Sequence, residues 1–181
     1  MKKIIVSILG EDRPGIVYAV TRVLCEEGCN VLEASQTILQ SEFAGIFLAS
    51  MPDDLTRERL QQSLEEGLAS LGCSVWLKDF KAGAYSAPGA EPYVITLRGR
   101  DRLGIIPGVA GVIAGFDVNI ENLRAITIKD DPSQVVIVFE VAVPKGVHRP
   151  AFREALKWKA EEFGMDLGVQ HRDIFEAVHR L

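Results

Sequence analysis

The sequence predicts an α+β protein built from two ferredoxin-like βαββαβ modules, each a four-stranded antiparallel sheet with two helices on one face. Three observations carry this expectation. An internal repeat runs through the chain. The apolar pattern switches between the period of a strand and that of a helix. A stretch with neither period, rich in Gly, Ala and Pro, separates the two copies.

The repeat has two registers. Residues 4–38 match 93–127 at a constant shift of 89, so Asp12-Arg13-Pro14-Gly15-Ile16 faces Asp101-Arg102-Leu103-Gly104-Ile105, Gly10 faces Gly99, and Asn30 faces Asn119. The later half matches at a shift of 92, with Leu60, Leu64, Leu68 and Leu71 facing Phe152, Leu156, Ala160 and Phe163. Copy two therefore holds three extra residues between these blocks. They are expected in a polar hairpin turn near Lys129–Pro132, where insertions are tolerated. The expected boundaries are 1–80 for the first module, 81–91 for the linker and 92–181 for the second module.

Each element follows in order. Ile4, Val6 and Ile8 alternate as a strand packed on one face requires, and Tyr93, Ile95 and Leu97 repeat the pattern. After a turn at Asp12–Gly15, the spacing of Ile16, Val20, Val23 and Leu24 predicts a helix, closed by Gly28. Asn30 to Leu39 and Phe43 to Met51 read as two strands joined by a short turn. Thr56 can cap the next helix, Gly72 closes it, and Cys73 to Phe80 form a last strand. Pro107 stands where copy one has Tyr18, so the equivalent helix of copy two is expected to start near Ile106 after a longer loop. Ile174, Val178 and Leu181 share helical spacing at the C-terminus. Modules of this size are marginal alone, so the copies are expected to pack on each other or on another chain, as in a homo-oligomer.

Charge and composition narrow the function. The net charge is −5, which gives no support for direct nucleic-acid binding despite the arginines at 98, 100 and 102. No apolar run approaches a membrane span, and Ile4–Leu9 is too short for a signal peptide, so a cytoplasmic protein off the membrane is expected. The three cysteines, Cys25, Cys29 and Cys73, form no complete disulfide or metal set and read as small buried residues. His148, His171 and His179 are scattered and read as exposed polar residues. Phosphate-loop, zinc-protease and nucleophile-elbow motifs are missing, so neither an enzyme nor a cofactor is expected. Gly108, Gly111 and Gly115 lie in a helical pattern and suit close helix packing rather than a dinucleotide site.

The candidate binding residues are Asp12, Arg13, Pro14, Gly15, Ile16 and Asn30, with Asp101, Arg102, Gly104, Ile105 and Asn119 in copy two. A helix N-terminus offers free N–H groups and partial positive charge to a carboxylate. Glycine allows close backbone approach. The aspartate either receives an ammonium group or caps the helix. The asparagine can donate to a carboxylate and accept from an amine. Together these suit a zwitterionic amino acid. The run Asp-Arg-Pro-Gly-Ile-Val, followed by a helix and Gly-Cys-Asn-Val, resembles the ACT domain family. The whole chain resembles the tandem proteins grouped with glycine cleavage system transcriptional repressors. That resemblance implies amino-acid ligands held at interfaces between paired domains by the strand-to-helix loop and the start of the second strand. It also implies a regulatory role exercised through a protein partner. The competing reading is a ligand-independent scaffold or regulatory subunit of a metabolic enzyme.

Overall fold

The computed structural model describes residues 2–81, 83 and 89–179, with Val178 and His179 as backbone. The chain divides into two compact units, Met1–Ala84 and Tyr85–Leu181. In the first unit, β1 (Lys2–Glu11), α1 (Ile16–Glu26), β2 (Asn30–Leu39), β3 (Glu42–Met51), α2 (Arg57–Leu68) and β4 (Ser74–Asp79) follow in the expected βαββαβ order. In the second, β5 (Glu91–Arg100), α3 (Ile105–Gly115), β6 (Asn119–Ile128), β7 (Asp131–Val143), α4 (Arg149–Phe163) and β8 (Asp166–His171) repeat it. The sheets have the orders β2-β3-β1-β4 and β6-β7-β5-β8, with all neighbouring strands antiparallel.

One face of each sheet carries the core. Ile4, Val6 and Ile8 pack with Ile16, Val20 and Leu24 of α1 and Leu60, Leu64 and Leu68 of α2. In the second unit Ile95 and Leu97 pack with Ile105, Val109 and Ile113 of α3 and with Phe152, Leu156 and Ala160 of α4. The helical and strand periods read from the sequence thus point their apolar faces at each other, which is what burying both requires. Thr56 caps α2 by accepting from the Arg59 N–H at 3.2 Å. His148, its counterpart at the shift of 92, caps α4 through Nδ1, which accepts from the Ala151 N–H at 3.3 Å. Thr56→Ala is expected to cost about 1 kcal/mol, read as a lower midpoint in urea unfolding.

The second copy departs from expectation at two points. Its first helix is not delayed: α3 begins at Ile105, one residue after Gly104, as α1 begins after Gly15. The first intrahelical bond runs from the Gly108 N–H to the Gly104 carbonyl at 3.0 Å, matching Ala19 to Gly15 at 2.9 Å. Pro107 therefore sits in the first turn, where its missing N–H has no partner to lose. The three extra residues do not lengthen the hairpin turn either. One step along β6, from Thr127 to Ile128, spans the partners Val135 to Asp131 on β7, so the irregular start of β7 absorbs them.

Other expectations resolve individually. Cys29 is buried and burial raises its thiol pKa, with Glu27 adding to the effect, but Cys25 is exposed, contrary to the reading of all three as buried. Gly108 does permit close helix packing, since an added Cβ would lie 2.8 Å from the Phe163 ring. Gly111 and Gly115 meet nothing within 4 Å and serve no such contact. The C-terminal pattern forms α5 (Arg172–His179); Leu181 lies outside the described residues. No helix among the described residues is long and apolar enough to cross a membrane.

Candidate functional site

Each unit holds its strand-to-helix loop in the same way. The Asp12 N–H donates to the Ser41 carbonyl at 2.7 Å, in the hairpin turn, and the Asp101 N–H to the Ser133 carbonyl at 2.8 Å, at the start of β7, tying each loop to the neighbouring hairpin. Gly15 and Gly104 then turn the chain into the helix at φ +102° and +96°, a region that side chains with a Cβ rarely adopt. Ile16 and Ile105, the next residues, are buried anchors. Neither helix receives a side-chain cap, so Asp12 and Asp101 are not capping residues and both project from exposed loop positions.

The helix N-termini consequently keep backbone donors aimed at the loop. Pro107 removes one of these from α3, so the second unit offers a smaller donor set than the first. Arg13 turns back to Glu11 at 2.6 Å, which neutralises charge beside the first loop. Arg102 makes no ion pair among the described residues. In the second hairpin, Asp131 accepts from the Ser133 hydroxyl at 2.7 Å and its N–H at 3.0 Å, and these bonds lower its carboxyl pKa.

The second loop borders a cavity of about 480 Å³. Asp101, Arg102, Gly104 and Ile105 line it on the loop side, and Ala125 and Thr127 of β6 on the sheet side. That volume suits a small ligand. Sequence reasoning missed Ala125 and Thr127. Their signal was available in the repeat: the first copy has the longer Gln36 and Ile38 at these positions.

The asparagines stand elsewhere. Asn30 pairs with Ser50, which pairs with Lys3, whereas the loop leaves β1 at Glu11. Parallel strands β1 and β2 therefore put Asn30 and the Asp12 loop at opposite ends of the sheet, roughly 26 Å apart at about 3.3 Å per residue. Asn119, in register with Ala142 and Pro92, stands likewise far from Asp101. Within one unit, no asparagine joins its own loop.

Among the described residues no group of three His, Cys, Asp or Glu side chains could hold a metal ion. His148 is engaged as a cap, and His171 contacts the Tyr93 ring edge-on, with centroids 5.4 Å apart. The side chain of His179 lies outside the described residues.

Comparison with known proteins places these two loops in a family. The ACT domain profile matches residues 2–78 and again residues 91–170. The chain belongs to the ACT domain family. ACT domains are characteristically regulatory, amino-acid-sensing modules. A UPF0237 protein of Methanopyrus kandleri is 36% identical over 92 residues, which are 49% of this chain and 96% of that protein. A UPF0237 protein of Clostridium perfringens is 34% identical over 89 residues, 49% of this chain and 97% of that protein. Each relative thus has the length of one ACT module. Among solved structures, a protein of unknown function from Galdieria sulphuraria superposes with a TM-score of 0.75 at 27% identity, over 94% of this chain and 98% of that one. A candidate glycine cleavage system transcriptional repressor superposes with a TM-score of 0.68 at 20% identity, over 93% and 96% of the two chains. That second likeness establishes a shared tandem ACT fold.

Proposed function

We propose that this tandem ACT protein senses a free amino acid and passes the signal to a protein partner. The observation that carries the reading is the cavity at Asp101–Ile105, where an uncapped helix start, an aspartate and an arginine with no ion pair among the described residues meet beside Thr127. The α3 N–H groups and Arg102 suit the ligand's carboxylate, and Asp101 suits its ammonium group. A cavity of this size, open on one side, suits a small side chain. Asn30 or Asn119 reaches such a loop only when contributed by a different module. Ligand binding and module pairing are then linked, and the ligand favours the paired arrangement by its difference in affinity for the two states.

Control of glycine metabolism at the level of transcription is the more specific form of this proposal. It draws on what one neighbour of like fold is named for, and the net charge of −5 favours action through a protein rather than on DNA.

Titration calorimetry of the full chain with each common amino acid tests the reading. Binding by one or a few small amino acids is expected, and Asp101→Ala or Arg102→Ala should weaken it by about 10- to 100-fold, the worth of a hydrogen bond to a charged group. Absence of heat and of thermal stabilisation with every amino acid would favour a ligand-independent scaffold. A pull-down from cell extract with and without glycine then shows whether partner binding depends on the ligand.

A further inference from the structure

The face of the first sheet away from its helices exposes apolar side chains at its centre. β1 presents Ile5 and Leu9 there, β3 presents Ala44, Ile46 and Leu48, and β4 presents Trp76, as the register dictates. Leu9, Ile46 and Trp76 are 48%, 54% and 59% exposed. The second unit treats the same face differently. Val94, the counterpart of Ile5, is only 2% exposed, and α5 packs against β5 and β8. Arg172 pins this helix through Glu121 at 2.5 Å and Glu140 at 3.8 Å. Among the described residues no helix follows β4, so the first sheet has no such cover.

We infer that a second copy of this chain covers it, the two first-unit sheets packing face to face about a two-fold axis. The charges argue for this occupant. Lys3 lies at one end of the face, and Glu11 and Glu42, paired across β1 and β3, lie at the other. An axis in the interface, perpendicular to the strands and along the row of Ser7, Ile46 and Trp76, exchanges the ends. It sets Lys3 of each copy against the Glu11–Glu42 end of the other. It also sets Ile5 against Leu9 and Leu48 against Ala44, and brings Ile46 and Trp76 close to their own symmetry mates. No like charges meet: Glu33, at the level of Ile5, comes opposite Thr37, and Lys78 opposite Ser74. The opposite choice of axis, parallel to the strands, would stack lysine on lysine and glutamate on glutamate. Aligned sheets pack about 10 Å apart with strands within about 30° of each other, which leaves these pairings in place.

The size is adequate. Three ten-residue strands and the six-residue β4, about 4.8 Å apart, give a flat footprint of several hundred Å², somewhat below the ~800 Å² of accessible surface that each partner contributes to a standard interface. At the centre of this face Ile5, Leu9, Ile46, Leu48 and Trp76 form a contiguous apolar patch of the kind that marks an interaction surface.

Sedimentation equilibrium of the full chain at micromolar concentration is the test. The wild type is expected to dimerise, and Ile46→Lys, which places two lysines together on the axis, to raise the dimer dissociation constant by more than about 100-fold with an unchanged circular dichroism spectrum. Glu42→Lys is the informative charge variant, because Glu11 is drawn towards Arg13 at 2.6 Å. Lys3→Glu and Glu42→Lys should each weaken the dimer by about 3- to 10-fold, and together should restore it. That rescue also guards against misreading a folding defect in the lysine variant. A monomeric wild type, a dimer indifferent to Ile46→Lys, or a double variant no better than the single ones would each overturn the inference. Amino-acid binding is read separately by calorimetry, so failure of the dimer and failure of the ligand reading are distinguishable.

Discussion

Phe139→Ala will lower the stability of the second module by about 3–5 kcal/mol, the range for truncating a buried phenylalanine. Phe139 is fully buried on β7, between Ile95 of β5 and Leu123 of β6 in the register. Its ring lies in the cluster formed with α3 and α4, so its loss leaves a cavity that neither sheet nor helices can close without moving together. A domain of this size has about 5–15 kcal/mol in all, so a large part of its margin would go. Hydrogen exchange of the β5 and β7 amides across a urea series reads the second module directly, because Trp158 is 70% exposed when folded and reports unfolding poorly. Phe139→Leu keeps much of the volume and should cost about 1.5 kcal/mol or less. A loss below about 1 kcal/mol for the alanine variant would remove Phe139 from the core.

Gly99→Val should be nearly as damaging, by about 2–3 kcal/mol or more, and for the opposite reason. A Cβ at Gly99 would stand 2.7 Å from the Met165 sulfur, 3.1 Å from the Gly164 carbonyl oxygen and 3.4 Å from the Met165 Cα. The sulfur can swing aside, but the backbone entering β8 cannot. Gly10 meets the same constraint in the first module, with the Cys73 Sγ at 2.9 Å and its Cα at 3.1 Å. Gly111→Ala is the control: its Cβ meets nothing within 4 Å, and alanine favours the helix by about 1 kcal/mol. Equal urea midpoints for Gly99→Val and wild type would show that the strand moves to make room.

These residues also show where sequence reasoning reaches and stops. The match of Gly10 with Gly99 was visible as a repeat, but its cause, a strand crossing close under the start of β4 or β8, lies between residues more than sixty positions apart. The loops at Asp12 and Asp101 were legible because glycine before a helical stripe is a local signal. The association of each loop with Asn30 or Asn119 was not geometrically sound within one module. Spacing along the chain does not reveal that a helical crossover returns the next strand to the far end of the sheet. The position of Pro107 was over-read for a related cause: its effect depends on which N–H groups the helix start uses, a matter of one residue in register.

The sequence by itself determined that this protein is a duplicated βαββαβ chain with a glycine-turned loop before the first helix of each copy. Apolar periodicity and helix-end residues are local, and repetition marks them twice. Only the tertiary structure decided that Ala125 and Thr127 border the second loop, that α5 packs against the second sheet while Ile46 and Trp76 of the first are exposed, and that Lys3 and Glu42 lie at opposite ends of that exposed face. Such relations arise from strand pairing, which brings distant residues into one row by hydrogen bonding rather than by any pattern written along the chain.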